Sequence, residues 1–320
     1  MDFRLSVTRL KPGENETKHL SSNLRLNSRT CMKGLNMNWV DEGALYSSIG
    51  VFLREDLGRG DITSQAIIER NTRARGRFVA GEKMIVAGLE AAEEVFMTLD
   101  PEQQLEAFAS DGEEIEGGKV IARTAGFADV LLAGERVALN LLQRLSGIAT
   151  LTNQYVRAVE GTTAKIVDTR KTTPGLRMLE KYAVLLGGGL NHRFGLDDGV
   201  IIKANHIAVA GGIGEAVKKA RERLGQLHKI EVQVANEREL AEALKYDADM
   251  LLLTDLAIEE VARLASMARE LSPAAVVECS GDITLETVRG YAEAGADLIS
   301  IGALTNSARA MNLSFQMKLG

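Results

Sequence analysis

The chain has 320 residues, 45% hydrophobic and 26% charged, the composition of an ordinary globular enzyme of one large or two smaller domains. It holds no run of about 18 apolar residues, so no membrane-spanning helix is expected, and its net charge of -6 argues against nucleic acid as a partner. Two cysteines, Cys31 in a polar stretch and Cys279 in an apolar run, make no disulfide framework and suggest a reducing, cytoplasmic setting; four histidines without clustered spacing leave little room for a zinc site.

Residues 1–36 carry seven Lys/Arg and three acids, with no sustained period and no apolar stretch like that of a signal peptide. They read as a disordered tail, and Met37 offers a later initiator. Residues 37–130 alternate between patterns. Helices are expected over Ala44–Leu53 and Leu89–Leu99, and strands over Arg75–Val79, Lys83–Ala87, Gln104–Ala109 and Lys119–Thr124. This is the pattern of a small α+β domain. Leu131–Val159 is the longest helical stretch, with Leu132, Val137, Leu141, Leu142, Leu145, Ile148 and Leu151 at helical spacing; Gly147 is expected to bend or break it.

From residue 164 short apolar runs alternate with amphipathic helices. The runs are Lys165–Asp168, Val200–Lys203, Ile230–Val234, Met250–Thr254, Ala275–Glu278 and Leu298–Ile301. The helices include Gly214–Leu224, Glu237–Lys245, Ile258–Leu271 and Leu285–Ala294. Apolar runs flanked by helices imply buried parallel strands, arranged either as an incomplete β/α barrel or as a doubly wound open sheet. Periodicity alone does not separate the two.

Active sites of β/α barrels form at the C-terminal strand ends. Those ends carry Asp168-Thr169-Arg170-Lys171, Lys203-Ala204-Asn205-His206, Glu231-Val232-Gln233, Thr254-Asp255, Ser280-Gly281-Asp282 and Gly302-Ala303, with Asn191-His192-Arg193 between the first two runs. A cationic rim on an acidic chain implies a substrate with several negative charges, because guanidinium forks match carboxylate and phosphate oxygens. Taken singly, each residue reads first as a salt-bridge partner or a solvated surface charge; taken together at strand ends they favour the anion site. Ser280-Gly281 and Gly302, at the last two strands, suit a phosphate, with Thr284 as the N-cap of the following helix. Gly187-Gly188-Gly189 reads as a helix stop, as a close backbone approach that sets His192 and Arg193 on the rim, or as both.

At these residues the chain resembles the quinolinate phosphoribosyltransferases, the carboxylating nicotinate-nucleotide pyrophosphorylases. The matching stretches are Glu55–Ser64, Gly134–Asn140, Leu145–Thr150, Asp168–Tyr182, Gly187–Gly195 and Ile202–His206. The resemblance implies an N-terminal α/β sandwich, residues 37–146 with 305–320, and an incomplete parallel β/α barrel, residues 147–304. It implies a homodimer with shared sites, possible higher assembly, and transfer of phosphoribose from phosphoribosyl pyrophosphate with Mg²⁺ to quinolinate. Decarboxylation would then give nicotinate mononucleotide, pyrophosphate and CO2. Arg136, reaching across the dimer, Arg170, His192 and Arg193 would hold the quinolinate carboxylates. Lys171 and Lys203 would be the catalytic cations facing both substrates. Ser280, Gly281 and Gly302 would hold the 5′-phosphate.

The chain departs from the family pattern at Gln233, Thr254 and Ala204, where acidic residues are usual, and at Asp282 and Asn306, where Gly and His are common. Gln233 and Thr254 stand where the family usually binds the ribose hydroxyls and the metal, so no metal ligand is assigned. Glu231 and Asp255 lie close by but are expected to point elsewhere. Two alternatives stay open: a family member that binds a pyridine dicarboxylate but has lost or altered the transfer, and an unrelated barrel aldolase with Lys203 as Schiff-base nucleophile.

Overall fold

The computed structural model describes residues 41–319; the basic tail, Cys31 and Met37 lie outside the described residues. Asp41 caps the first helix, α1 (Glu42–Leu57), by accepting the Gly43 and Ala44 N–H groups, and Asp61 caps α2 (Ile62–Ile67) in the same way. β1 (Arg73–Ala80) alternates buried and exposed residues along most of its length, as a strand with one covered face must. Then come β2 (Met84–Ile85), α3 (Leu89–Leu99), β3 (Leu105–Ala107), β4 (Glu114–Ile115), β5 (Val120–Phe127) and α4 (Ala128–Ala158). The chain's last strand, β12 (Leu313–Leu319), returns to this region and pairs antiparallel with β1. The resulting sheet has the order β12-β1-β5-β3.

The covered face of that sheet meets α3 through aromatic rings. Phe78 of β1 lies 4.8 Å from Phe315 of β12 and 6.2 Å from Phe96 of α3, ring centre to ring centre. Gly76 makes room for Phe315, since a side chain at 76 would occupy its ring.

The other sheet is parallel throughout. Its strands are β6 (Lys165–Val167), β7 (Val200–Ile202), β8 (Ile230–Val234), β9 (Met250–Thr254), β10 (Val276–Ser280) and β11 (Leu298–Ser300). The helices between and after them are α5 (Arg177–Leu186), α6 (Ala204–Ala210), α7 (Ile213–Arg223), α8 (Glu237–Lys245), α9 (Ile258–Leu271), α10 (Val288–Glu293) and α11 (Ala303–Asn306). The strand order β6-β11-β10-β9-β8-β7 decides between the two architectures left open by periodicity. From β7 to β11 each step moves one place in the same direction, and the first strand then lies beside the last. A doubly wound sheet reverses direction part-way. The sheet is therefore an incomplete barrel, open between β6 and β7. Among the described residues no helix is long and apolar enough to cross a membrane.

Several local expectations change. Gly147 does not break α4, which runs 31 residues without interruption. Its role is close approach: a Cβ there would strike the Arg309 carbonyl, so the missing side chain lets α4 lie against the segment leading to β12. Thr284 does not cap α10. Thr287 holds the N-cap position and its hydroxyl accepts the Thr284 N–H at 3.0 Å, which tightens a turn and delays the helix to Val288. α2, α5, α6 and β12 were not among the elements expected from the sequence. Replacing Gly147 with Ala should cost about 1–3 kcal/mol, the usual penalty for overpacking. An unchanged melting temperature would show that the Arg309 backbone yields without strain.

Candidate active site

The rim is built on a buried ion pair. Asp168, just past β6, and Lys181, on the inner face of α5, are both fully buried, and the lysine ammonium donates to the aspartate. Burial pushes the Asp168 carboxyl up and pulls the Lys181 amine down, while each group's charge opposes the other's shift. The pair also fastens the segment that enters the barrel gap. Asp168 accepts the His192 N–H at 2.8 Å, and Lys181 donates to the His192 carbonyl at 3.1 Å. The Asn191 amide, oriented as this network requires, donates to Asp168 at 2.6 Å and to the Lys181 carbonyl at 3.0 Å.

A second pair, with its carboxylate buried, holds the loop that carries Arg170 and Lys171. Glu180 is fully buried and accepts from Arg144 of α4 at 2.9 and 3.1 Å, and from the Thr173 N–H at 3.0 Å. Arg144 also donates to the Thr305 and Ala308 carbonyls. Thr305 in turn donates to the Lys171 carbonyl at 2.9 Å. Arg177 closes the loop from outside, donating to Thr172 at 2.9 Å and to the Phe194 carbonyl at 3.1 Å. Backbone contacts therefore fix the loop and leave the exposed side chains of Arg170 and Lys171 for a ligand.

His192 reaches across the barrel lumen. Its Nε2 lies 3.0 Å from Glu278 of β10 and 3.6 Å from Glu231 of β8, and its Nδ1 accepts the Arg193 N–H at 2.8 Å. Burial lowers the ring's pKa, but the two carboxylates overcome this and favour a second proton, raising it to about 10. The backbone bond at Nδ1 works against that proton, because it needs a lone pair there. The hydrogen bond decides the tautomer: Nε2 carries the proton and donates to Glu278. The same bond argues against a metal in this cluster, since Nε2 then has no lone pair to offer. The ring leaves no nitrogen free for a substrate carboxylate. His192 thus lies against Arg193 through its Nδ1.

Arg193 donates to the Gly199 carbonyl at 2.7 Å, while its Nε is buried without a partner. Its pKa is lowered by burial and by the nearby charge of Arg170. Two guanidinium groups held within repelling distance favour an anion between them. Lys203 is exposed just past β7 and caps α6, its N–H donating to His206 at 3.0 Å. Lys171 lies over Gly302 at the end of β11, where a Cβ would come within 2.8 Å of its side chain.

Thr254 and Ser280 end β9 and β10, and Gln233 stands one residue before the end of β8; all three are half-buried. Gly281 has φ of 134° and fits tightly against Asp255, whose own φ is 57°. The expectation that Glu231 points away from Gln233 is wrong. They stand two apart on one strand and therefore share a face, which His192 identifies as the lumen. A cavity of about 500 Å³ opens beside them, with Ala204, Ile207, Gln233 and Arg238 in its wall. The residues at 204, 233 and 254 supply no carboxylate, so they do not form a protein-held site for a hard cation.

The family model "Quinolinate phosphoribosyl transferase, C-terminal domain" matches residues 148–316, and the corresponding N-terminal model matches residues 61–146. The chain belongs to the quinolinate phosphoribosyltransferase family. It is 46% identical over 269 residues to a probable nicotinate-nucleotide pyrophosphorylase [carboxylating] of Bacillus subtilis, covering 84% of this chain and 91% of that one. A protein of the same description from Synechocystis is 42% identical, with 83% and 90% covered. The solved nicotinate-nucleotide pyrophosphorylase of Francisella tularensis superposes with a TM-score of 0.83 at 37% identity, covering 87% of this chain and 98% of that one.

In this family member four supporting groups, Arg144, Glu180, Lys181 and Glu278, were not singled out from the sequence, and Glu231 was noted only as a strand-end acid. The available signal was a charged residue inside an apolar run, as in Ile230-Glu231-Val232 and Val277-Glu278-Cys279. Lys181→Met should destabilise the fold by about 3–5 kcal/mol in urea unfolding, because it leaves Asp168 buried and unpaired. Adding Asp168→Asn should recover part of that loss. A double variant no more stable than the single one would show that the ion pair is not the source.

Proposed function

We propose that the chain transfers phosphoribose from phosphoribosyl pyrophosphate to quinolinate and decarboxylates the product. The products are nicotinate mononucleotide, pyrophosphate and CO2, the entry of quinolinate into NAD synthesis. The observation that carries this reading is the pair of repelling guanidiniums, Arg170 and Arg193, held at the strand ends of a barrel of this family. In the proposal they take the two carboxylates together with Arg136 of a partner subunit in a homodimer. His192 forms the floor. Lys171 and Lys203 face the carboxylates and the pyrophosphate, and Ser280, Gly281 and Gly302 take the 5′-phosphate. Arg136 is exposed on α4 and has no hydrogen bond or ion pair among the described residues, which leaves it available to a partner.

Ribosyl transfer develops positive charge on the sugar and needs positioning and charge stabilisation more than a nucleophile. A rim of fixed cations with no Ser-His-Asp arrangement fits that demand. Mg²⁺ would arrive as part of the phosphoribosyl pyrophosphate complex, since Ala204, Gln233 and Thr254 give it no carboxylate. The reaction requires no membrane or nucleic acid and is placed in the cytoplasm.

The neutral residues at 204, 233 and 254 and the carboxylate of Asp282 favour a second reading, in which dicarboxylate binding persists and transfer is lost or altered. Assaying purified protein for nicotinate mononucleotide separates the two: quinolinate binding without pyrophosphate release supports the second.

If two carboxylates are clamped, quinolinate should bind roughly 10- to 150-fold more tightly than nicotinate, the value of about 1.5–3 kcal/mol for one charge-assisted contact. Equal affinities by calorimetry would sink the dicarboxylate site. Mixing Arg136→Ala subunits with Lys203→Ala subunits should restore activity, because one hybrid site is intact. No recovery after confirmed subunit exchange would count against shared sites.

A further inference from the structure

Glu231 and Glu278 are 3% and 2% exposed and converge on one ring N–H inside the barrel. The ligating atoms of the two glutamates and His192 lie within 4.8 Å of one another. Glu278 takes the ring proton at 3.0 Å, while Glu231 stands at 3.6 Å, beyond a hydrogen bond. The ring's Nδ1 faces the Arg193 N–H, so Nε2 is the one ring nitrogen directed at the carboxylates. The other oxygen of Glu231, Oε1, is buried with no partner. Two buried carboxylates this close, with one donor between them, do not both ionise. Glu278 holds the one hydrogen bond, and Glu231 is left without a donor.

We propose that Glu231 is a positioning residue that works as a neutral carboxylic acid, filling the lumen beneath His192 and Arg193 without placing a second negative charge under the anion site. The inference rests on the dicarboxylate reading of that site. Burial raises the Glu231 pKa and the charge of Glu278 adds to the rise, while the approach of His192 opposes it.

The donors that face Glu231 are His192 and Arg193, whose Nε is itself buried without a partner. The residues opposite it in the flanking strands, Ile201 of β7 and Met250 of β9, do not titrate. His192 and Arg193 face it from the loop that closes the gap, and Glu278 from β10. Beyond Arg193 stand Arg170 and Asp198, and behind His192 the Asp168–Lys181 pair.

The sign of the pH dependence follows. A group with a raised pKa stays neutral until the pH climbs through that value. Ionisation of Glu231 then puts a negative charge beside Arg193 and weakens dicarboxylate binding.

The test is calorimetry of quinolinate with the full-length wild type and with Glu231→Gln, from about pH 5 to about pH 9, the span in which raised carboxyls titrate. At neutral pH the two proteins should bind within about threefold of each other, because glutamine is the uncharged isostere. Tightening by more than about tenfold would show that Glu231 was ionised, and weakening by as much would show that it makes a specific bond; either overturns the proposal. With rising pH the wild type should lose affinity more steeply than Glu231→Gln, and parallel profiles overturn the positioning role. Glu231→Met serves as the second uncharged variant should Gln not fold.

An infrared measurement stands apart from the substrate. The wild type at neutral pH should show a protonated-carboxyl band that Glu231→Gln lacks, and its absence overturns the proposal. A wild type with that band but no quinolinate binding would sink the dicarboxylate reading alone.

Discussion

The Asp168–Lys181 ion pair is the constraint on which the site depends. An incomplete barrel has a free edge on β6 and an uncovered lumen between β6 and β7, and both need a plug. The segment after α5 supplies it: Leu190 bridges to Val167 on the free edge, and His192 fills the lumen. That segment has little regular structure, so its polar groups must find partners elsewhere. Asp168 and Lys181 provide them, taking the His192 N–H and carbonyl together with the Asn191 amide. A buried ion pair contributes little net stability by itself. Here it sets the geometry of a loop that carries the cations.

The helices extend the same logic. Glu180 and Lys181 are neighbours on α5 yet serve different partners, one reaching Arg144 on α4 and the other Asp168 at β6. The next residue, Tyr182, donates to Asp111 at 3.2 Å, and Asp111 accepts the Gly88 and Leu89 N–H groups at the start of α3. Three successive residues of one helix thus tie the barrel gap, the long helix and the sandwich together. Displacing α5 would strain all three, so the rim inherits the rigidity of the core beneath it.

The sequence made most of the frame legible for a physical reason. Runs such as Ile230–Val234 and Met250–Thr254 are strands buried on both faces, and α8 and α9 have strong one-sided patterns; these elements fall where expected. α5 was hidden because its buried face includes Glu180 and Lys181, which read as polar. Gly147 misled because a glycine in a helix signals either a break or a close contact, and only the position of Arg309 tells which. Within the site, the cations at the strand ends were visible one by one. Their supports were not, because a buried charge is recognisable only beside its partner, and those partners are far away in sequence: Arg144 with Glu180, and His192 with Glu278.

The distribution of charge explains how an acidic chain presents a cationic rim. Among the described residues, three buried carboxylates are spent on fixed partners: Asp168 on Lys181, Glu180 on Arg144, Glu278 on His192. The strand-end residues Gln233 and Thr254 and the adjacent Ala204 are neutral, so nothing at those positions offsets Arg170, Lys171, Arg193 and Lys203. In a low-dielectric lumen an unneutralised carboxylate would act strongly on those cations. Gln233, Thr254 and Ala204 add no negative charge beside these cations, which leaves those positions open to an anionic substrate.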